Sequence, residues 1–239
     1  MIPIRGVPEG RSWPWITVGL IALNILVFLY QQYIGPKATM ALFSQGGAVA
    51  AKLSRLKLAG SRESLWFLAT IFISMFLHGG WFHLLSNMWF LWVFGEALEE
   101  DLGHGRFLGF YLFTSFFACL AHVLAASNLS APLIGASGAI AGVMGGYLVR
   151  LPQSPILTLV FWRLRLEFAY IPAFVWLGIW LALQLYGLRQ GGPVAWMAHL
   201  GGFVMGLLTV SLFTPLRAEA AKPNPKNSPK KRAKPGKKK

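Results

Sequence analysis

The sequence is poor in acid and in cysteine. Of 239 residues only eight are Asp or Glu, Asp101 is the only aspartate, and charged residues of both signs make up 13% of the chain. A paired-aspartate protease is thereby excluded, because its chemistry needs two such carboxyls sharing a proton. The single cysteine, Cys119, cannot form an intrachain disulfide, so the redox compartment stays unread. There is no HExxH pattern, and His78 and His83 stand five apart without an acidic neighbour. Neither is assigned to zinc, and no metal or other cofactor is expected. Nor does a convincing small-residue cleavage site follow the first apolar segment, which is expected to remain as an anchor.

What the chain has instead is apolar surface. Hydrophobic residues make up 55% of it, and mean hydropathy is +0.54. That is too apolar for an ordinary soluble domain of this size. The 10 Trp suit a protein whose helices cross two lipid-water interfaces, where indole rings settle.

The formal charge of +14 is concentrated at one end. From Arg217 the chain reads RAEAAKPNPKNSPKKRAKPGKKK, with too little apolar surface to offset the entropy of ordering it. Two units are therefore expected: a transmembrane domain over 1–216 and a disordered basic tail over 217–239. A Lys/Arg cluster beside the last span holds that end in the cytoplasm and attracts anionic lipid headgroups. No specific nucleic-acid partner is expected.

A tilted spanning helix needs about 20 apolar residues, and roughly 17 at the least. On that measure six spans are expected, near Trp13 to Tyr33, Trp81 to Leu98, Phe107 to Ala126, Ser137 to Leu151, Ala169 to Tyr186 and Trp196 to Phe213. The fold class is thus an all-α, polytopic six-helix bundle with a long, membrane-associated first outer loop. Within that loop the apolar run LWFLATIFISMFL, Leu65 to Leu77, is too short to span and reads as interfacial or re-entrant. With both termini inside, 16 of the 22 Lys and Arg fall on inner segments and 6 on outer ones. That bias favours cytoplasmic termini, and in a bacterial host it places the protein in the inner membrane.

Under this topology the second, fourth and sixth spans start at the same depth. Their N-terminal ends carry His83 and Asn87, Ser137, and His199. Polar groups inside a membrane are costly and need a reason. Helix packing is one: Gly138, Gly142 and Gly146, and again Gly202 and Gly206, form close-packing stripes, and interhelical hydrogen bonds would use the histidines and Asn87. Chemistry is the other. A serine hydroxyl becomes a nucleophile when a neutral imidazole takes its proton. Ser137 at a helix start has free backbone N–H groups around it, and His83 and Asn87, one turn apart, can add donors for a developing oxyanion. With no carboxylate expected beside His199, a Ser-His dyad is the simpler reading.

These stretches resemble the rhomboid family. FLHGGWFHLLSNMWFLWVFG (Phe76 to Gly95) resembles its HxxxN segment, and IGASGAIAG (Ile134 to Gly142), with Gly135 and Gly138, resembles its GxSG nucleophile motif. AHLGGFVMG (Ala198 to Gly206), with Gly202, resembles the segment bearing its catalytic histidine, and LGHGRF (Leu102 to Phe107) its connection between the second and third helices. The resemblance implies cleavage of membrane-anchored protein substrates in or near their transmembrane segments through an acyl-enzyme. It makes Ser137 the nucleophile, His199 the base and then acid, and His83, Asn87 and the Ser137 amide the oxyanion donors. The fifth helix and the loop Gly187 to Ala195 would form a gate and cap. Some members carry a Tyr four residues after the nucleophile, packed on the histidine; here that position is Ala141, so other packing must orient the ring. Two other readings stand beside this one. A non-catalytic rhomboid-like protein that binds transmembrane helices would not need Ser137. A transporter would need a polar path through both leaflets, whereas the inner half of these spans has almost no charge.

Overall fold

The computed structural model describes residues 1–6, 12–53, 62–125, 130–162, 165–192 and 194–215. The basic tail therefore lies outside the described residues, as do Arg11, Arg55, Lys57, Arg163 and Pro193. A strand, β1 (Ile2–Gly6), precedes the long helix α1 (Trp15–Gly46), followed by β2 (Ala48–Val49), α2 (Ala50–Leu53) and α3 (Arg62–Ser74). Helices α4 (Trp81–Leu102) and α5 (His104–Ala125) lead to β3 (Pro132–Leu133) and α6 (Ser137–Arg150). A hairpin, β4 (Pro155–Trp162) and β5 (Arg165–Pro172), then connects to α7 (Ala173–Gln190) and α8 (Trp196–Thr209), which ends in a 3-10 turn, Val210–Phe213.

The architecture is mostly helical. Among the described residues three segments are long and apolar enough to cross a membrane: Trp15–Gly46, His104–Ala125 and Trp196–Phe213. Helix α1 overruns the expected end at Tyr33, but the overrun is a kink: Gly35 has φ 79° and Pro36 follows it, so two helices meet there. The first of them ends about where the apolar segment does. Helix α3 covers the run read as interfacial, and at 13 residues it is too short to span.

The expectation of an all-α fold needs correction. Three strands form an antiparallel sheet in the order β1-β4-β5, and β2 pairs with β3. PILTLVFW and RLEFAYIP are short apolar runs rich in Ile, Val, Phe, Tyr and Trp and bounded by prolines, which suits strands of a sheet with apolar residues on both faces. The fifth helix accordingly starts at Ala173, after Pro172, rather than at Ala169. Proline ends the ladder because it has no N–H to donate, and it fits the first turn of a helix.

Helix α6 lies at the centre. Every residue from Gly138 to Tyr147 is buried, so α6 touches protein all round and need not match a bilayer's thickness. Lipid tails give helices no hydrophobic reason to associate, so close contact must do it. A Cβ placed on Gly202 or Gly206 would strike the carbonyl oxygen of Gly138 or Gly142, and one on Gly145 that of Phe203. Helices α6 and α8 therefore run parallel with their backbones touching. On the other side α5 runs antiparallel, with Ala118, Thr114 and Phe110 filling the space over Gly138, Gly142 and Gly146.

The ends of the helices are tied by polar contacts. At the C-terminal end of α4, buried Glu99 accepts hydrogen bonds from the backbone N–H groups of Ile16 (2.9 Å) and Thr17 (2.7 Å), the Thr17 hydroxyl (2.7 Å) and His104 Nδ1 (2.5 Å). It serves as a cap donated by another helix to the uncapped start of α1. Beside it, Arg150 at the end of α6 makes two hydrogen bonds to Asp101, at 2.6 and 3.0 Å. The Trp89 indole, also on α4, donates to the Pro3 carbonyl at 2.6 Å and holds β1 against the bundle.

Candidate active site

The opposite end of the bundle gathers the starts of α4, α6 and α8. They border a cavity of about 950 Å³ that is lined by Phe82, His83, Asn87, Ser137, Met144, Trp180, Gln184, Trp196 and His199, among others. Ser137 and His199, 62 residues apart, meet there with Ser137 Oγ 2.8 Å from His199 Nε2. The glycine contacts explain this closeness. Gly138 against Gly202 sets α6 and α8 at backbone contact one residue past Ser137 and three past His199.

The other imidazole nitrogen has a partner that sequence reasoning missed. His199 Nδ1 lies 2.8 Å from Oε1 of Gln184, a buried side chain on α7. An amide oxygen only accepts, so Nδ1 carries the ring proton, and Nε2 is left with a lone pair facing the Ser137 hydroxyl. The hydrogen-bonded Ser137 and His199 pair thus has a third neighbour, and it is an amide rather than a carboxylate. Trp180 and Trp196 flank the ring, with centroids 6.4 and 6.1 Å from that of His199. They are the aromatic neighbours of the imidazole in a site where position 141 is alanine. The single sequence offered one signal, a lone Gln in the apolar run of α7, but nothing local placed it beside His199.

The candidate oxyanion donors sit across from this pair. Asn87 is 6% exposed, and its Nδ2 makes no hydrogen bond among the described residues. A buried, unpaired N–H is costly unless a ligand uses it. The Gly79 N–H donates to His83 Nδ1 at 3.3 Å, leaving His83 Nε2 to carry that ring's proton. Gly135 explains itself here: its φ of +105° favours glycine, and an added Cβ would stand 2.6 Å from His83 Nε2. The loop before Ser137 approaches His83 closely because no side chain intervenes.

The segment between α1 and α4, with the end of α1, supports both walls of the site. The Gly135 N–H donates to the Ser74 carbonyl at 2.9 Å, and β2 pairs with β3 just ahead of it, so α3 and β2 fix the segment that presents Ser137. Gln31 of α1 clasps the His78 backbone twice, donating to its carbonyl at 2.8 Å and accepting from its N–H at 3.1 Å. That clasp sets the turn from which α4 carries His83 inward. Among the described residues no group of three metal-ligating side chains occurs.

The comparisons with known proteins agree with this picture. The rhomboid domain matches residues 62–215. RHOMBOID-like protein 4 of Arabidopsis thaliana is 30% identical over 85% of this chain and 54% of its own length. Rhomboid protein 1, mitochondrial, of Saccharomyces cerevisiae is 33% identical over 56% of this chain and 39% of its own. The human presenilin-associated rhomboid-like protein, mitochondrial, is 26% identical over 81% of this chain and 47% of its own. The chain spans about half the length of these relatives or less. A match over residues 62–215, which carry Ser137, His199, His83 and Asn87, together with membrane helices, leads to one conclusion: this membrane protein belongs to the rhomboid family.

Proposed function

We propose that the protein is an intramembrane serine endopeptidase that cleaves membrane-anchored proteins in or near their transmembrane segments. The observation that carries this reading is the hydrogen-bonded series Gln184, His199, Ser137, open to a cavity that also holds the unpaired Asn87 amide. Ser137 Oγ attacks the scissile carbonyl carbon as its proton passes to His199 Nε2. The carbonyl oxygen takes up the negative charge and is met by Asn87, His83 and the Ser137 N–H. His199 then returns the proton to the leaving amine, the C–N bond breaks, and an acyl-enzyme remains on Ser137. A water, deprotonated by His199, hydrolyses the ester and restores the serine.

The same reading takes the domain as six spans, with α4, α6 and α7 completing the set. The support for its orientation is the count over the whole sequence, 16 of the 22 Lys and Arg on inner segments. Among the described residues Arg5, Arg106, Arg150 and Arg165 belong to the Glu99 end of the bundle, while Lys37, Lys52 and Arg62 lie between the kink of α1 and the start of α3 and Arg189 in the last turn of α7. On the positive-inside rule, the Glu99 end faces the cytoplasm with both termini and the site opens toward the other side.

The deciding experiment is cleavage of a model transmembrane substrate by the purified full chain in liposomes, beside Ser137→Ala and His199→Ala. The expected result is turnover by the wild type and its loss in both variants, with unchanged folding. An inactive wild type that still binds a transmembrane helix would favour the non-catalytic reading.

A further inference from the structure

The sheet between α6 and α7 carries a surface that the chemistry above does not use. Residues directly opposite in an antiparallel ladder share a face, and neighbours along each strand alternate. One face holds the rows Pro3, Thr158, Ala169 and Gly6, Ile156, Ile171. Pro3, Thr158 and Ile156 are buried, and Gly6 lies against Tyr147 of α6, so this face covers the bundle. The other holds the rows Ile2, Leu159, Phe168, then Arg5, Leu157, Tyr170, then Phe161 and Leu166. On it Phe161, Leu166, Phe168 and Tyr170 are between 63% and 69% exposed. An antiparallel sheet facing water would show polar residues there.

We infer that this outer face docks on the lipid leaflet at the end of the bundle opposite Ser137, and that it prefers an anionic one. Both ends of the hairpin run into helices of a membrane protein, so an apolar phase lies within reach of the face. Phe161, Leu166 and Phe168 give it an apolar surface, and Tyr170 beside them has the amphipathic ring that settles at a membrane boundary. Cations rim it: Arg5 lies in the row of Tyr170, and Arg165, exposed, stands at the tip of the hairpin. Glu167, the one acid of the sheet, pairs with Val160 on the opposite face. Cationic groups close to anionic headgroups are attracted to them. The outer edges of β1 and β5 fix the depth: among the described residues no further strand pairs with them, and edge backbone groups without a ladder partner need water, headgroups or a side chain, so the sheet lies at the headgroup boundary and not in the hydrocarbon.

Nitroxide labels at Phe168→Cys and, separately, Phe161→Cys test this in the full chain; Cys119 is buried, so the unsubstituted protein is the labelling blank. The labelled protein is placed in phosphatidylcholine vesicles with and without phosphatidylglycerol. The expected result is a collision rate with oxygen several-fold above that with a water-soluble nickel chelate at both positions. The ratio should rise when phosphatidylglycerol is present and lose that rise in Arg5→Gln/Arg165→Gln. Nickel collisions above oxygen collisions would show a water-facing sheet and overturn the inference. Low rates with both reagents would mean that protein, such as a second copy of the chain, covers the face, and would overturn it equally. A ratio insensitive to phosphatidylglycerol would overturn the anionic preference.

Discussion

At the scale of single residues, Gln184 is where the structure changes the expected chemistry. Its amide oxygen selects the tautomer that leaves His199 Nε2 free, so it is a positioning residue acting through the imidazole. Gln184→Leu leaves a buried Nδ1–H unpaired, at a cost of about 1–3 kcal/mol. If most of that falls on the competent ring orientation, kcat drops roughly 10- to 100-fold with KM little changed, because about 1.4 kcal/mol is a factor of ten. Gln184→Glu keeps an acceptor in place and should restore most of the rate; loss in both variants alike would assign Gln184 to packing alone. Asn87→Ala removes a donor that pairs with nothing among the described residues, so folding should survive. Turnover should fall by about 10²-fold or less, since one oxyanion donor is worth about 2.7–4 kcal/mol and others remain. Unchanged single-turnover rates would remove Asn87 from the site.

At the scale of elements, the contact of α6 with α8 is the joint on which the site depends. Gly206→Ala puts one methyl onto the Gly142 carbonyl, where backbone must move to admit it. Overpacking of this kind costs about 1–3 kcal/mol. The variant should show a lower thermal midpoint in detergent, with activity falling as the Ser137 to His199 distance opens. Gly178→Ala on α7 is the matched control. It is an exposed helix position with nothing within 4 Å of the added carbon, where alanine gains about 0.5–1 kcal/mol over glycine. A midpoint for Gly206→Ala equal to that of Gly178→Ala would contradict the close-packed joint. The glycine stripes on α6 and α8 were legible in the sequence as spacing. Their pairing, Gly138 with Gly202 and Gly142 with Gly206, was not, because spacing on one helix does not say which partner it meets or in what register.

At the scale of the whole molecule, the polar groups divide between two ends. Glu99, Asp101, Arg150 and the three-stranded sheet mark one, and Ser137, His199, His83 and Asn87 the other. On the proposed orientation, a reporter fused after Lys239 reads as cytoplasmic and one inserted between Gly191 and Gly192 as external. The same side for both would break the six-span topology.

The sequence by itself determined the solvent of this protein and where to look for a site. Apolar content places it in a membrane, and a single aspartate removes a paired-aspartate mechanism. The order His83, Asn87, Ser137, His199 on alternate helices was enough to point to one site, because residue type and helical period are local properties. Only the tertiary structure decided the rest. Gln184 lies 15 residues before His199 on another helix, and no local pattern sets the angle at which α7 meets α8. The segment between α1 and α4 looked peripheral, yet Ser74 and β2 in it and Gln31 of α1 hold the two walls of the site through hydrogen bonds that join distant parts of the chain. The sheet was hidden for a related reason. Apolar residues on both of its faces read as continuous hydrophobicity, and pairing across β1, β4 and β5, more than 150 residues apart from first strand to last, is what separates the face that covers the bundle from the one left outside.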